Sequence, residues 1–381
     1  MKTHKAFSRE ISIMRLYNGD GALQQINPDN YHQQLDEKLT ELNTAFSGLT
    51  LPKVDIHTSE PLHFRMRAEF RIWHENGSAH YAMNQPGEKR PYIIQNFPIG
   101  SQQINSLMPL LLSEINANEL LSRRLFSAEF LTTLSGEALI TLIYHKSLND
   151  DWQQAALNLQ QQLGAAIIGR SRKQKAVIGR DFVIEKLHVS GKDYHYQQVE
   201  TGFTQPNAGV NQKMLSWALL QSTQCSGDLL ELYCGNGNFT CVLAQSFNKV
   251  LATEISKISV RSAQYNLEAN HVNNVAIVRM SSEELTEALK GVRPFRRLKN
   301  IDLDSYNFGT IFVDPPRAGL DGATIDLVKR FDNILYISCN PTTLKSNLES
   351  ISETHNIERF AVFDQFPYTH HLESGILLKK K

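Results

Sequence analysis

Residues 229–240 read LLELYCGNGNFT. An apolar run meets Gly235-x-Gly237 and then a segment able to begin a helix, the pattern of a buried strand that turns tightly over a bound group. Working outward, six more short apolar runs follow: KVLATE, AIVRM, TIFVD, ILYIS, RFAVFD and GILLKK, most of them separated by helical stretches. That alternation predicts an α/β fold with a doubly wound sheet. Only FPYTHHLES links the last two runs, so they are expected to pair antiparallel.

Upstream of residue 200 the grammar changes. Pro28 and the spacing of Leu35, Leu39 and Leu42 predict a helix over 28–46. From about 62 to 198 the pattern is a β-rich α+β mixture. AEFRIWH-ENGS-AHYAMNQ carries Asn76-Gly77 in an expected tight turn, and EFLTTL-SG-EALITLIYH repeats the arrangement. INSLMPLLLSEI and DWQQAALNLQQQL read as helices. The expected domains are residues 1–198, of which 1–27 receive no assignment, and residues 199–381.

Composition narrows the class. The 381 residues are 41% hydrophobic and 20% charged, an ordinary globular balance, and 39 basic residues offset 39 acidic ones. Global charge therefore steers the chain toward no partner, although a local basic patch still could. The four cysteines, Cys225, Cys234, Cys241 and Cys339, form no CxxC pair, so neither a metal nor an iron–sulfur cluster is expected. No signal peptide and no apolar run of membrane length is visible, and a cytoplasmic place is expected.

At the glycine loop the plainest reading is a strand-to-helix turn and nothing more. Context argues otherwise: KVLATE ends in Glu254, where a ribose-binding carboxylate belongs. Thr240 replaces the third glycine of the dinucleotide fingerprint, which disfavours a pyrophosphate, so S-adenosylmethionine is preferred over NAD. TIFVDPPRAGL sets Asp314 at a second strand end, with Pro315 and Pro316 stiffening the loop.

ILYISCNPTTL is the third such loop. Asn340 and Pro341 predict a capped helix start, leaving Cys339 at the positive end of the helix dipole, where a thiol ionises more readily. A lone cysteine is ordinarily a buried apolar residue, and Cys225 and Cys241 are read so. For Cys339, position favours a nucleophile. A thiolate adding to carbon 6 of uracil turns carbon 5 into an enolate carbon able to attack a methyl sulfonium. A base must then remove the carbon 5 hydrogen so that the thiolate can leave. FPYTHHLESG offers His370, His371 and Glu373 as bases.

ELYCGNGNFT, FVDPPRAGL, ISCNPTTL and FPYTHHLESG, with FRMRAEFRIWH and QVETGFTQPN, together resemble the RNA uracil-5-methyltransferase family from about residue 28 to the end. The resemblance implies a Rossmann-like S-adenosylmethionine-dependent methyltransferase domain preceded by an RNA-binding domain. It makes Cys339 the nucleophile and Glu373 the proton acceptor. It assigns cofactor contacts to Gln205, Tyr233, Asn238, Glu254 and Asp314. Members acting on ribosomal RNA carry an N-terminal cysteine set for an iron–sulfur cluster, whereas this chain has no cysteine before Cys225. The tRNA branch is therefore expected, with the T-loop uridine (position 54) as target and ribothymidine as product. The alternatives are a ribosomal-RNA or other T-loop-like substrate, an NAD-dependent oxidoreductase, and an RNA-binding protein with a decayed catalytic domain. No obligate protein partner is evident.

An extruded uridine needs phosphate contacts and an aromatic substitute for its lost stacking. Arg65, Arg67 and Arg71 alternate in FRMRAEFR and share a face if that segment is a strand. RRLF adds Arg123, Arg124 and Phe126. Arg65, Arg67, Arg71 and Phe126 are the expected RNA contacts.

Overall fold

The computed structural model describes residues 26–84 and 90–381. Residues 1–25 of the unassigned N-terminal segment, and Gln85 of the first expected hairpin, lie outside them. The chain divides into two units. One comprises Glu60–Lys186 and Gln198–Ala208, with the described residues 26–31; the other comprises His32–Ser59, Leu187–Gln197 and Gly209–Lys381. Helix α1 (Tyr31–Ala45) thus falls almost entirely in the second unit, with the strand β1 (Val54–His57) that follows it.

The first unit is built on seven strands: β2 (Arg67–Glu75), β3 (Ser78–Met83), β4 (Tyr92–Ile93), β5 (Leu125–Thr132), β6 (Ala138–Tyr144), β7 (Ala166–Ser171) and β8 (Gln174–Ile178). They lie in the order β4-β3-β2-β5-β6-β7-β8. The expected hairpin β2–β3 closes on Asn76 and Gly77, at φ 52° and 80°, as a two-residue turn of this twist requires. Along β2, Ala68, Phe70 and Ile72 are buried while Arg67, Glu69 and Arg71 take the other face. Helices α2 (Gln102–Ala117) and α3 (Asp150–Leu163) pack on this sheet through residues such as Leu111 and Trp152. Strands β9 (Phe182–Val189) and β10 (Lys192–Val199) form a separate two-stranded ribbon.

All seven strands expected after residue 200 are present: β11 (Asp228–Leu232), β12 (Val250–Thr253), β13 (Val275–Val278), β14 (Phe308–Val313), β15 (Asn333–Ser338), β16 (His355–Phe363) and β17 (Glu373–Lys380). The sheet order is β1-β16-β17-β15-β14-β11-β12-β13. Every residue of β11 and of β15 is buried, as befits strands covered on both faces. The last two strands pair antiparallel as expected, and β17 also pairs antiparallel with β15, so it lies between its neighbour in sequence and the parallel set. Two elements escaped the sequence reading. One is β1, which lies parallel beside β16; the other is helix α4 (Ala208–Ser222), whose apolar residues show no clear stripe.

Candidate active site

Register decides what meets at the end of the second unit's sheet. Leu232 stands opposite Thr253 on one side and Val313 on the other, and Val313 stands opposite Tyr336. Tyr233, Glu254 and Asp314, the next residues of three parallel strands, therefore occupy one rim, the carboxyl end where open α/β sheets take ligands. Strand β15 runs two residues further, to Ser338, before reaching Cys339. Below this rim, burial first, and then the neighbouring Tyr233, Asp314 and Cys339, push the Tyr336 hydroxyl far above its ordinary range.

The glycine loop is shaped by backbone conformation. Tyr233, Gly235 and Gly237 all lie in the left-handed region, at φ 62°, 58° and 80°. A Cβ on Gly235 would touch nothing, so glycine serves the turn there, whereas one on Gly237 would meet Ala263 at 3.4 Å. Glu254 anchors the loop: one carboxylate oxygen accepts from the Gly235 N–H (3.1 Å) and the other from the Ser256 N–H (2.7 Å). Lone pairs remain on both oxygens for a ligand's hydroxyls. Asn238 exchanges two 2.9 Å hydrogen bonds with the Asn211 side chain, so any ligand contact must use the second N–H or lone pair of its amide. The Tyr233 hydroxyl donates to Ser282 Oγ at 2.9 Å.

The second and third loops are tied to each other. Asn340 caps helix α5 (Pro341–Ile351), its side-chain oxygen accepting from the Thr342 N–H at 3.1 Å, with Pro341 in the first turn as expected. The same side chain donates to the Arg317 carbonyl at 2.9 Å, and Thr343 Oγ1 donates there too at 3.2 Å. Cys339 thus sits one residue before the cap of this helix, partly exposed. The other cysteines are held as thiols: burial pushes Cys225 up to about 11 and raises Cys234 and Cys241 as well.

The β15–β17 ladder ends with Ile337 facing Gly375 and Ser338 facing Ser374, and the adjoining residues at that end are Cys339, just after β15, and Glu373, the buried first residue of β17. The histidines are placed less well. The His370 ring is 80% exposed, 3.9 Å from Glu41. Burial, with Arg317, Lys38 and His370 nearby, lowers His371 to about 4, away from the near-neutral range that suits an ordinary histidine to act as a base.

One group at this end was not anticipated. Glu231, inside β11, is fully buried, neither of its carboxyl oxygens has a hydrogen-bond partner, and burial with Asp314 nearby lifts it from 4.5 to about 8 despite the Thr240 hydroxyl beside it. Its signal was a lone acidic residue within an apolar strand. The folded protein keeps this proton where an unfolded chain would release it, so stability falls as pH rises between those values, by about 1.4 kcal/mol per pH unit. Wild-type melting temperature should therefore fall more steeply from pH 5 to 8 than that of Glu231→Gln; parallel curves would refute a protonated Glu231.

Carboxyl groups at Glu254 and Asp314 form an acidic rim. It fits a cationic ligand with ribose hydroxyls and does not fit a pyrophosphate. Among the described residues no group of three or more His, Cys, Asp or Glu side chains could hold a metal ion. Gln205, also expected at the cofactor, belongs to the other unit.

Within that unit the expected RNA contacts separate. Arg65 precedes β2 and is 4% exposed, so it offers no surface. Arg67 donates to the carbonyls of Gly202 (3.0 Å) and Glu200 (2.6 Å), a structural use the alternation could not reveal. Arg71 lies over Trp73 (5.4 Å) and over Phe126 (5.7 Å). Phe126, 39% exposed, also stacks on His145 at 4.6 Å. Arg71 and Phe126 share one surface; Arg65 and Arg67 do not reach it as free cations.

A profile of the family described as tRNA (Uracil-5-)-methyltransferase matches residues 30–381. The tRNA/tmRNA (uracil-C(5))-methyltransferase of Cellvibrio japonicus is 60% identical over 351 residues, 92% of this chain and 96% of that protein. The proteins of the same name from Saccharophagus degradans and Vibrio parahaemolyticus are 57% and 53% identical, covering 94% and 93% of this chain and 99% and 98% of theirs. Among solved structures, Pyrococcus abyssi tRNA (uracil-54, C5)-methyltransferase in complex with S-adenosyl-L-homocysteine shares the fold. Its TM-score is 0.68 at 19% identity, over 92% of this chain and 83% of that one.

Proposed function

The chain belongs to the tRNA (uracil-5-)-methyltransferase family, and we propose that it methylates carbon 5 of the T-loop uridine of tRNA with Cys339 as nucleophile and Glu373 as proton acceptor. It is a tRNA (uracil-C5)-methyltransferase that depends on S-adenosylmethionine. What supports the assignment of roles is the register that pairs Ser338 with Ser374, which leaves Cys339 and Glu373 as the adjoining residues at one end of that ladder, beside the strands that end in Tyr233, Glu254 and Asp314.

The chemistry follows from those positions. The Cys339 thiolate adds to carbon 6 of uracil, and the electron pair of the 5,6 double bond moves to make carbon 5 nucleophilic. S-adenosylmethionine, when bound, supplies an electrophilic methyl group. The residues of the second unit that would hold it are Tyr233, Asn238, Glu254 and Asp314; the family resemblance adds Gln205. Glu373 then takes the proton from carbon 5, the double bond re-forms, and the carbon–sulfur bond breaks to free the thiolate.

For the RNA, the surface of Arg71 and Phe126 supports a stacking platform beside a phosphate contact. Arg71→Ala should reduce the salt dependence of tRNA binding by about one charge. Phe126→Ala should weaken binding by ~1–3 kcal/mol with little change in that slope. Binding isotherms across a salt series separate the two, and wild-type behaviour in both variants would remove this surface from the RNA interface. The relatives' names join tmRNA to tRNA, which supports other RNAs with a T-loop-like hairpin as further substrates. A cytoplasmic place suits such substrates, and no described helix is long and apolar enough to cross a membrane. The test of the whole reading is incubation with unmodified tRNA and labelled methyl donor. Label at carbon 5 of the T-loop uridine is the expected result, and label elsewhere overturns it.

A further inference from the structure

Helix α1 carries a lysine where its own pattern calls for an apolar residue. Leu35, Lys38 and Leu42 follow one another on the buried stripe, and Lys38 is 6% exposed. An ammonium so placed is costly unless each of its N–H groups finds an acceptor. All three do, and every acceptor lies in one segment, the link from β16 to β17. Lys38 Nζ donates to Asp364 Oδ1 at 2.7 Å, to the Phe366 carbonyl at 2.8 Å and to the His371 carbonyl at 3.3 Å. The contacts bracket the link: Asp364 opens it directly after β16, and His371 lies two residues before Glu373. Gln34, one turn earlier on the helix, adds two more ties. It donates to Asp364 Oδ2 at 3.1 Å and accepts from the Tyr368 N–H at 3.1 Å.

The link between the paired residues Phe363 and Glu373 has little regular structure of its own. Tyr368 sits in the left-handed region at φ 62°, and the internal contacts are local, such as Thr369 Oγ1 donating to the Phe366 carbonyl at 2.8 Å. Burial draws the Lys38 ammonium below its ordinary range while Asp364 opposes the shift. An apolar pair in this place would be tolerated at least as well by the core. What such a pair could not do is hold two backbone carbonyls, one of them just ahead of Glu373.

We infer that Lys38 is a positioning residue for the proton-abstraction step: by gathering Asp364, Phe366 and His371 on one ammonium it braces the link that leads into β17, and so holds Glu373, which pairs with Phe363, in place for the Cys339 adduct. This rests on the reading of Glu373 as the base. The step served is the one in which the carbon 5 proton passes to the Glu373 carboxylate, the carbon 5–carbon 6 double bond re-forms, and the sulfur–carbon 6 bond breaks with its electron pair returning to Cys339. Addition of the thiolate and the methyl transfer precede it and do not call on Glu373.

The test uses the full chain as Lys38→Met/Asp364→Asn, which leaves no buried charge unpaired, with Gln34→Leu as a milder variant and Glu373→Gln for reference. Unmodified tRNA and labelled methyl donor are followed through a single turnover and then at steady state. The double variant is expected to accumulate a methylated protein–RNA species that survives denaturation, with steady-state turnover reduced about tenfold or more. Addition to 5-fluorouridine tRNA and affinity for S-adenosylmethionine should stay at wild-type values. Gln34→Leu should shift the same way by less, and it carries the test if the double variant does not fold. Wild-type turnover in both Lys38→Met/Asp364→Asn and Gln34→Leu, while Glu373→Gln stalls, overturns the positioning role alone. Loss of cofactor affinity or of thiolate addition overturns it too, because the pair would then serve the fold in general. Normal turnover by Glu373→Gln overturns the base assignment beneath it.

Discussion

Cys339→Ala is expected to lose methylation of tRNA by on the order of 10⁴-fold or more, because without the thiolate carbon 5 of uracil has no route to nucleophilic character. S-adenosylmethionine affinity should be almost unchanged, since Tyr233, Glu254 and Asp314 stand on other strands of the rim. The wild type offered tRNA with 5-fluorouridine at the target should form a methylated adduct that persists, because fluorine cannot depart as a proton; the alanine variant should form none. Methylation surviving at more than about a hundredth of the wild-type rate would end the nucleophile assignment. Cys234 and Cys241 could not substitute, since burial holds both as thiols.

Glu373→Gln should behave differently. Gln is nearly isosteric, so the start of β17 and its pairing with Phe363 should persist, while the group can no longer accept a proton. Turnover is expected to fall by about 10²–10⁴-fold, the usual worth of a positioned base. The first methyl transfer should proceed close to the wild-type rate. The distinguishing product is natural tRNA, already methylated, still joined to Cys339 after denaturation. Unimpaired release would shift the role to water or a histidine, though His371 at about 4 has no advantage as a base over a carboxylate and His370 points into solvent.

The arginines around β2 show where sequence reading reaches its limit. Alternation correctly put Arg67 and Arg71 on one face of β2. It could not show that β2 starts only at Arg67, or that two carbonyls from a distant part of the chain occupy the Arg67 guanidinium. Lys38 is the same lesson inverted. A lysine at helical spacing reads as an exposed charge, and only packing against residues 364–371 shows that its acceptors lie at the far end of the chain.

The sequence by itself determined whatever depends on short-range chemistry. Gly235 and Gly237 announce a left-handed turn after an apolar strand, Asn340 and Pro341 announce a helix start beside Cys339, and Asn76-Gly77 announces a hairpin. Each follows from local backbone sterics or capping, to which a few adjacent residues are enough. Tertiary structure alone decided which strand ends meet. Nothing local to ESGILLKK says that this strand inserts antiparallel between β15 and β16, or that its first residues come to the end of β15 that precedes Cys339. Strand pairing is chosen by the burial of whole faces across the sheet, so the approach of these two segments is a property of the assembled core and of neither segment.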